Sequence, residues 1–346
     1  MTLHQKGTLV ALAAAMLAAC SSSSTTPPTK PAAKPLYIAY TAIGASDAVG
    51  YGASVPCTTA SPALGAADPT CPEAGADGYV PDIVHDLAAY GFVASLQDLG
   101  YSGAVIGPDI EATVNMYDSI EGPNACQPRP PADQYPANFL QNELPDVNPS
   151  ATLVTIFAGG NDTNGIVNAI ACGAGGATVA SQTAFITQEV TAFGNDFATL
   201  VGGVHELAPK ATIVVANIPN FANVPFALEA PAALRQALQA VSVSIDVDVI
   251  NTVVANGVPV VDVECNPQSY NPANFYTDGF HPNDAGYALL AQLFVQQALA
   301  NYPAAPLSQC SEQAVSSASV RARAAAAAIK LPVPIGRPMN LLRGAY

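Results

Sequence analysis

Four short stretches carry residue types that could do chemistry together. Ser46 stands in "GASD" (residues 44–47), just after the apolar run "LYIAYT" (36–41). Gly103 stands in "SGAV" (102–105), Asn161 in "GGND" (159–162), and Asp278 and His281 in "DGFH" (278–281). A serine hydroxyl is a weak nucleophile until an adjacent base takes its proton, and imidazole is the usual base near neutral pH. The imidazole in turn needs a carboxylate that holds its tautomer. Asp278 lies three residues before His281, so a turn there folds the carboxylate back onto the ring. The backbone N–H groups of Ser46 and Gly103 and the Asn161 amide are three candidate donors for an oxyanion. Gly103 is flanked by Gly100 and Gly107; Ala104 after it favours Gly103. His85 and His205 sit in helix-like stretches and read as surface or packing histidines.

These residues need a frame that brings them to one edge. Strand-like apolar runs occur at 36–41, 92–99, 152–159, 211–219 and 258–264, alternating with helix-like stretches at 79–91, about 180–208, 230–257 and 282–301. Asn283 or Asp284 is the expected N-cap of the last helix. Near-continuous apolar strands alternating with helices predict a parallel sheet covered on both faces. In such sheets ligands sit beyond the carboxyl ends of the strands, where the polar motifs fall. Two long insertions, about 54–78 and 121–137, carry Pro, Gly and Cys and are expected to roof the site.

The four blocks, in this order, resemble those of the SGNH (GDSL-type) hydrolase family over residues 36 to about 300. That resemblance implies a flavodoxin-like three-layer α/β/α sandwich with a five-stranded parallel sheet. It implies Ser46 as nucleophile, His281 as base and Asp278 as its orienting acid. Ser46, Gly103 and Asn161 would form the oxyanion hole, with Gly160 and Asp162 in support and no metal or cofactor. Two positions depart from the family pattern. Ala45 fills the place where the family often has Asp, and Asp98 stands where an Asn is often found. An ionised Asp98 near the site would oppose a developing oxyanion, so its carboxylate is expected to be turned away or hydrogen-bonded.

The opening "MTLHQKGTLVALAAAMLAAC" has a weakly basic start and an apolar core, and its "LAAC" ending resembles a bacterial lipoprotein signal. The expected organisation is therefore a signal over 1–19, then lipidated Cys20 opening a Ser/Thr/Pro-rich tether to residue 35. A hydrolase domain over 36–310 and a basic, Ala-rich tail over 311–346 follow. The six cysteines other than Cys20 are an even set in an exported chain, which makes three disulfides the default among fifteen pairings. Cys57–Cys71, Cys126–Cys172 and Cys265–Cys310 are favoured because each lies in or beside a loop.

Between residues 36 and 310 there are three basic against 25 acidic residues. Such a field repels polyanions and argues against nucleic acid and, more mildly, against anionic phospholipid. With no Trp and few aromatic residues a sugar-stacking platform is also disfavoured. The resulting expectation is a monomeric serine esterase of the cell envelope, tied to the membrane through lipid on Cys20. Its expected substrates are small neutral acyl or acetyl esters. A polysaccharide O-deacetylase or (phospho)lipase of the same family, and a non-catalytic envelope lipoprotein, are the alternatives.

Overall fold

The computed structural model describes residues 36–56, 76–117, 126–129 and 137–315. Five parallel strands form the sheet: β1 (Leu36–Gly44), β2 (Phe92–Asp98), β3 (Leu153–Phe157), β4 (Thr212–Ala216) and β5 (Val260–Val261). Their order is β2-β1-β3-β4-β5. The chain therefore reverses its direction of travel between β1 and β3, and that switch point is where open parallel sheets bind ligands.

Side chains alternate between the two faces of the sheet. Ile38, Tyr40, Ala42, Val214, Ala216 and Val261 point to one core, packed by α1 (Tyr79–Ala89) and α6 (Asp284–Leu299). Ile43, Val154, Ile156, Ile213, Val215 and Val260 point to the other. That second face is covered by α2 (Pro108–Met116), α3 (Gly160–Ala171), α4 (Val179–Leu207) and α5 (Ala232–Asp248). The layers are thus helix, sheet, helix, as the apolar runs predict. Burial on both faces explains why β3 and β4 read as unbroken apolar runs. Removing a large side chain such as Ile156 from this core would cost about 2–5 kcal/mol. Together with the turn that follows it, α5 (Ala232–Asn256) is long and apolar enough to cross a membrane. It packs instead against α3 and α4 as a core helix.

Several boundaries differ from the sequence reading, each for a local reason. β3 stops at Phe157 because Gly159 turns the chain with φ 114°, and α3 begins at once, so "GGND" opens a helix. The Gly- and Asn-rich "GNDTNGIVNAIA" hides that helix from composition alone. β5 keeps only two ladder residues. Beyond it the Asn217 side chain takes over, its carbonyl accepting the Val263 and Glu264 N–H groups at 2.6 and 2.9 Å. Asn283, not Asp284, caps α6, accepting from Ala285 and Gly286. The Asp284 carboxylate accepts instead from the Ser54 N–H and hydroxyl.

The packed body also continues past residue 310, the expected end of the domain. Gln313 is buried, its amide donating to Glu264 Oε2 at 2.8 Å, and Val315 N–H donates to Gln239. Disulfides join Cys126 to Cys172 at the end of α3, and Cys265 to Cys310 beyond β5. Cys20 and the Cys57–Cys71 pair lie outside the described residues.

Candidate active site

Ser46 sits in the turn that caps the carboxyl end of β1. Its carbonyl accepts the Tyr51 N–H at 2.9 Å, and the Ala45 carbonyl accepts from Ala48 and Val49, which tightens the turn. Gly44 allows the close approach of Ala48 and Tyr79, since a Cβ there would lie 2.9 Å from the Ala48 methyl and 3.0 Å from the Tyr79 hydroxyl. The Gly44 N–H donates to Glu143 Oε2 at 3.0 Å. Glu143 ends a π-helical turn (Phe139–Glu143), a local form that often marks functional sites. With Ala45 in place of an acid, the turn draws its outside support from Glu143.

His281 comes from the loop before α6. A bridge between Phe275 and Pro282 and the Tyr276 N–H to the His281 carbonyl (2.8 Å) close that loop, and Gly279 (φ 69°) turns it. Asp278 folds back as its spacing predicts: Oδ1 accepts the Phe280 and His281 N–H groups at 2.9 and 3.0 Å, and Oδ2 meets His281 Nδ1 at 2.7 Å. Partial burial pushes the Asp278 carboxyl up, but the His281 ring and the two backbone donors outweigh it and hold the group below its ordinary value. It is therefore an anion that accepts the Nδ1 proton and leaves Nε2 as the acceptor. Nε2 lies 2.9 Å from Ser46 Oγ. Ser46 and His281, 235 residues apart, form one unbroken hydrogen-bonded line with Asp278.

Donors gather on the other side of Ser46. Gly103 is the third residue of a turn closed by Ala104 N–H to the Tyr101 carbonyl (3.0 Å), and its φ of 83° is one glycine tolerates at no cost. Among the described residues, neither the Ser46 nor the Gly103 N–H has an acceptor. Asn161, in the first turn of α3, spends one amide hydrogen on the Ala104 carbonyl at 2.9 Å, which fixes the amide plane and leaves the second hydrogen free. Beneath them Asp162 Oδ1 accepts the Ile106 N–H at 2.9 Å, tying the Gly103 loop to α3. Burial pushes Asp162 up to about 7. Asp98 is also buried, its Oδ1 accepting the Gly100 N–H at 2.9 Å, and burial pushes it up to about 8. Burial thus favours its neutral form, which weakens the charge that would oppose an oxyanion.

A cavity of about 80 Å³ opens at these groups, lined by Ser46, Ala104, Gly160 and Asn161 and otherwise mainly by apolar side chains. Four residues about it escaped the sequence reading. Tyr51 packs its ring 4.3 Å from the His281 ring, and Phe280 meets the same imidazole edge-on at 4.8 Å. Asp47 lines the cavity; burial raises its carboxyl while His281 draws it down. Glu143 is the fourth. Only proximity to Ser46 and His281 in sequence hinted at the first three, and nothing hinted at Glu143. His85 and His205 lie on α1 and α4, away from the cavity lining. No group of three or more His, Cys, Asp or Glu side chains among the described residues is arranged to hold a metal ion.

This geometry can activate a serine hydroxyl and stabilise an oxyanion beside it. No curated protein matches the chain. Several solved structures are similar at low identity. A phospholipase A1 from Streptomyces albidoflavus NA297 has a TM-score of 0.42 and 17% identity, covering 74% of this chain and 97% of that one. An extracellular lipase from Streptomyces rimosus has 0.44 and 17%, covering 75% and 97%. An acetyl xylan esterase variant from Geobacillus stearothermophilus has 0.44 and 16%, covering 75% and 93%. The model of the GDSL-like Lipase/Acylhydrolase family matches residues 42–289, which span every block described above. The chain belongs to the GDSL-like lipase/acylhydrolase family and is an ester-bond hydrolase.

Proposed function

We propose that this chain is an exported serine esterase acting on small neutral acyl esters through Ser46, His281 and Asp278. The observation that carries the reading is the continuous line from Ser46 Oγ through His281 to Asp278, at 2.9 and 2.7 Å. Ser46 Oγ attacks the ester carbonyl carbon, its proton passes to His281 Nε2, and the carbonyl π pair becomes the oxyanion. The Ser46 and Gly103 N–H groups and the free Asn161 amide hydrogen receive that charge. Collapse expels the alcohol, which takes the proton from His281, and leaves an acyl group on Ser46. Water then attacks the acyl-enzyme with His281 again as base, releasing the acid and restoring the hydroxyl. Asp278 stays ionised throughout and stabilises the imidazolium. The acidic surface and the apolar cavity favour neutral over anionic substrates.

Turnover of p-nitrophenyl acetate and butyrate by the wild type and a Ser46→Ala variant tests the assignment. Ser46→Ala should lose at least a thousandfold in kcat with an unchanged Tm, and equal rates would remove Ser46 from the mechanism. Export and anchoring are proposed from the "LAAC" stretch, with Cys20 acylated and the enzyme held at the cell envelope. Mass spectrometry of the mature protein should find a diacylglyceryl-modified Cys20 at its N-terminus; an unmodified start elsewhere refutes the anchor.

A further inference from the structure

A groove of about 640 Å³ opens between α3, the start of α4 and α5, and shares no lining residue with the cavity at Ser46. Its walls are mainly apolar, with Val167 and Ile170 from α3 and Leu234 and Ala237 from α5. The polar members, three glutamines and Thr183, carry no charge. Val179 at the start of α4 also lines the groove and is 66% exposed. Of the most apolar stretch of α5 and the turn after it, only 56% is buried. A helix apolar on most of its faces is ordinarily covered, and an open apolar groove marks a surface that takes a partner.

The chain itself leads to this groove. Gln239 stands in the lining and holds the last described residues by both ends of its amide. Its Nε2 donates to the Gln313 carbonyl at 2.8 Å, and its Oε1 accepts the Val315 N–H at 3.3 Å. The Cys265–Cys310 disulfide and the Asn223 amide, which donates to the Glu312 carbonyl at 2.8 Å, fix the approach to that point. Val315 is buried in the core that α3, α4 and α5 share. Residues 316–346 therefore leave the body beside the groove. They carry five basic residues and no acid, against three basic and 25 acidic residues over 36–310. A second copy would bring the same acidic surface and be repelled, whereas the tail is attracted.

We propose that the groove is the seat of the chain's own C-terminal segment, with "AAAAAIKLPVPI" (324–335) laid along α5. From Gln239 back to Ala233 the groove runs about 9 Å along the helix axis. The residues from Ser316 to Arg323 span up to about 27 Å when extended, so the stretch reaches every part of it. Its single charge is Lys330, whose stem can lie on apolar surface while its head stays in water. Pro332 and Pro334 carry no N–H, which leaves fewer backbone donors to satisfy in an apolar seat. The tether holds the segment at an effective concentration of about 1 mM. An intrinsic affinity of only about 100 µM then gives a roughly tenfold excess of seated over free segment.

The test is trypsin cleavage of the full chain read by mass spectrometry, beside a synthetic peptide of residues 316–346 that reports the intrinsic rates. In the full chain the Lys330–Leu331 bond should be cut about tenfold more slowly than in the peptide, and Arg343–Gly344 at the peptide's rate. Ala233→Arg and Ala237→Arg each place a cation in the groove and should return Lys330 to the peptide's rate. Ala233 is exposed and Ala237 half-buried, so Ala233→Arg carries the test if Ala237→Arg fails to fold. Equal cleavage at Lys330 in chain and peptide, or protection that survives in a folded arginine variant, overturns the proposal. So does protection that appears only as light scattering shows a dimer forming, or only when anionic vesicles are added. The occupant would then be a second copy or a lipid surface.

Discussion

Asp278 uses its two oxygens for different tasks, and that division predicts how a single atom change acts. Oδ1 holds the loop by accepting two backbone N–H groups, while Oδ2 accepts the His281 Nδ1 proton. In Asp278→Asn the retained oxygen can still hold the loop, but an amide donor faces Nδ1. The ring must then carry its proton on Nε2, where it can no longer accept from Ser46. The expected result is a loss of roughly 10⁴-fold in kcat with the fold intact, read by steady-state kinetics beside a thermal melt. A fall in Tm matching the loss of activity would show that Asp278 acts mainly as a loop brace.

Three loops and one helix start meet at the site, and buried polar contacts hold them in register. Asp162 joins α3 to the Gly103 loop, and Glu143 joins the π-helical turn to the end of β1. Burial raises the Glu143 carboxyl well above its ordinary value, and its Oε2 accepts the Gly44 N–H. Glu143→Leu leaves that N–H without an acceptor inside the protein, which should cost about 1–3 kcal/mol. The same change should lower kcat by loosening the Ser46 turn. Glu143→Gln keeps an acceptor and should stay close to wild type in both. Denaturant unfolding and kcat of the two variants decide the matter; equal losses in both would show that Gly44 does not depend on the bond.

Burial of acids has a consequence for the whole molecule. Asp98 and Asp162 are held at about 8 and about 7, against 3.8 for a free aspartate. Between those values the folded chain keeps protons that the unfolded chain has released. Stability therefore falls as pH rises through that window and levels off above the folded values. Each unit of separation corresponds to about 1.4 kcal/mol. Melting at constant ionic strength should give a Tm several degrees lower at pH 8 than at pH 5, in the direction that the acidic surface also favours. Asp98→Asn, which retains an acceptor for Gly100, should flatten the slope; a Tm that rises with pH would contradict the burial argument.

Near-continuous apolar strands, their alternation with helices and the polar blocks beyond them were enough to determine a parallel sheet with those blocks gathered at one edge. The Asp278–His281 turn was legible for the same reason: it is a contact between near neighbours in the chain. Ser46 and His281 were readable as partners by residue type, but their meeting across 235 positions depends on the strand order β2-β1-β3-β4-β5, which no local pattern states. The support from Glu143 and the ring of Tyr51 on His281 are likewise contacts between distant segments. Each exists only once the helices have packed on the sheet. Local preference is written residue by residue along the chain. The depth of a pocket and the protonation of a buried acid follow from what other segments place around them, and so only the tertiary structure decided them.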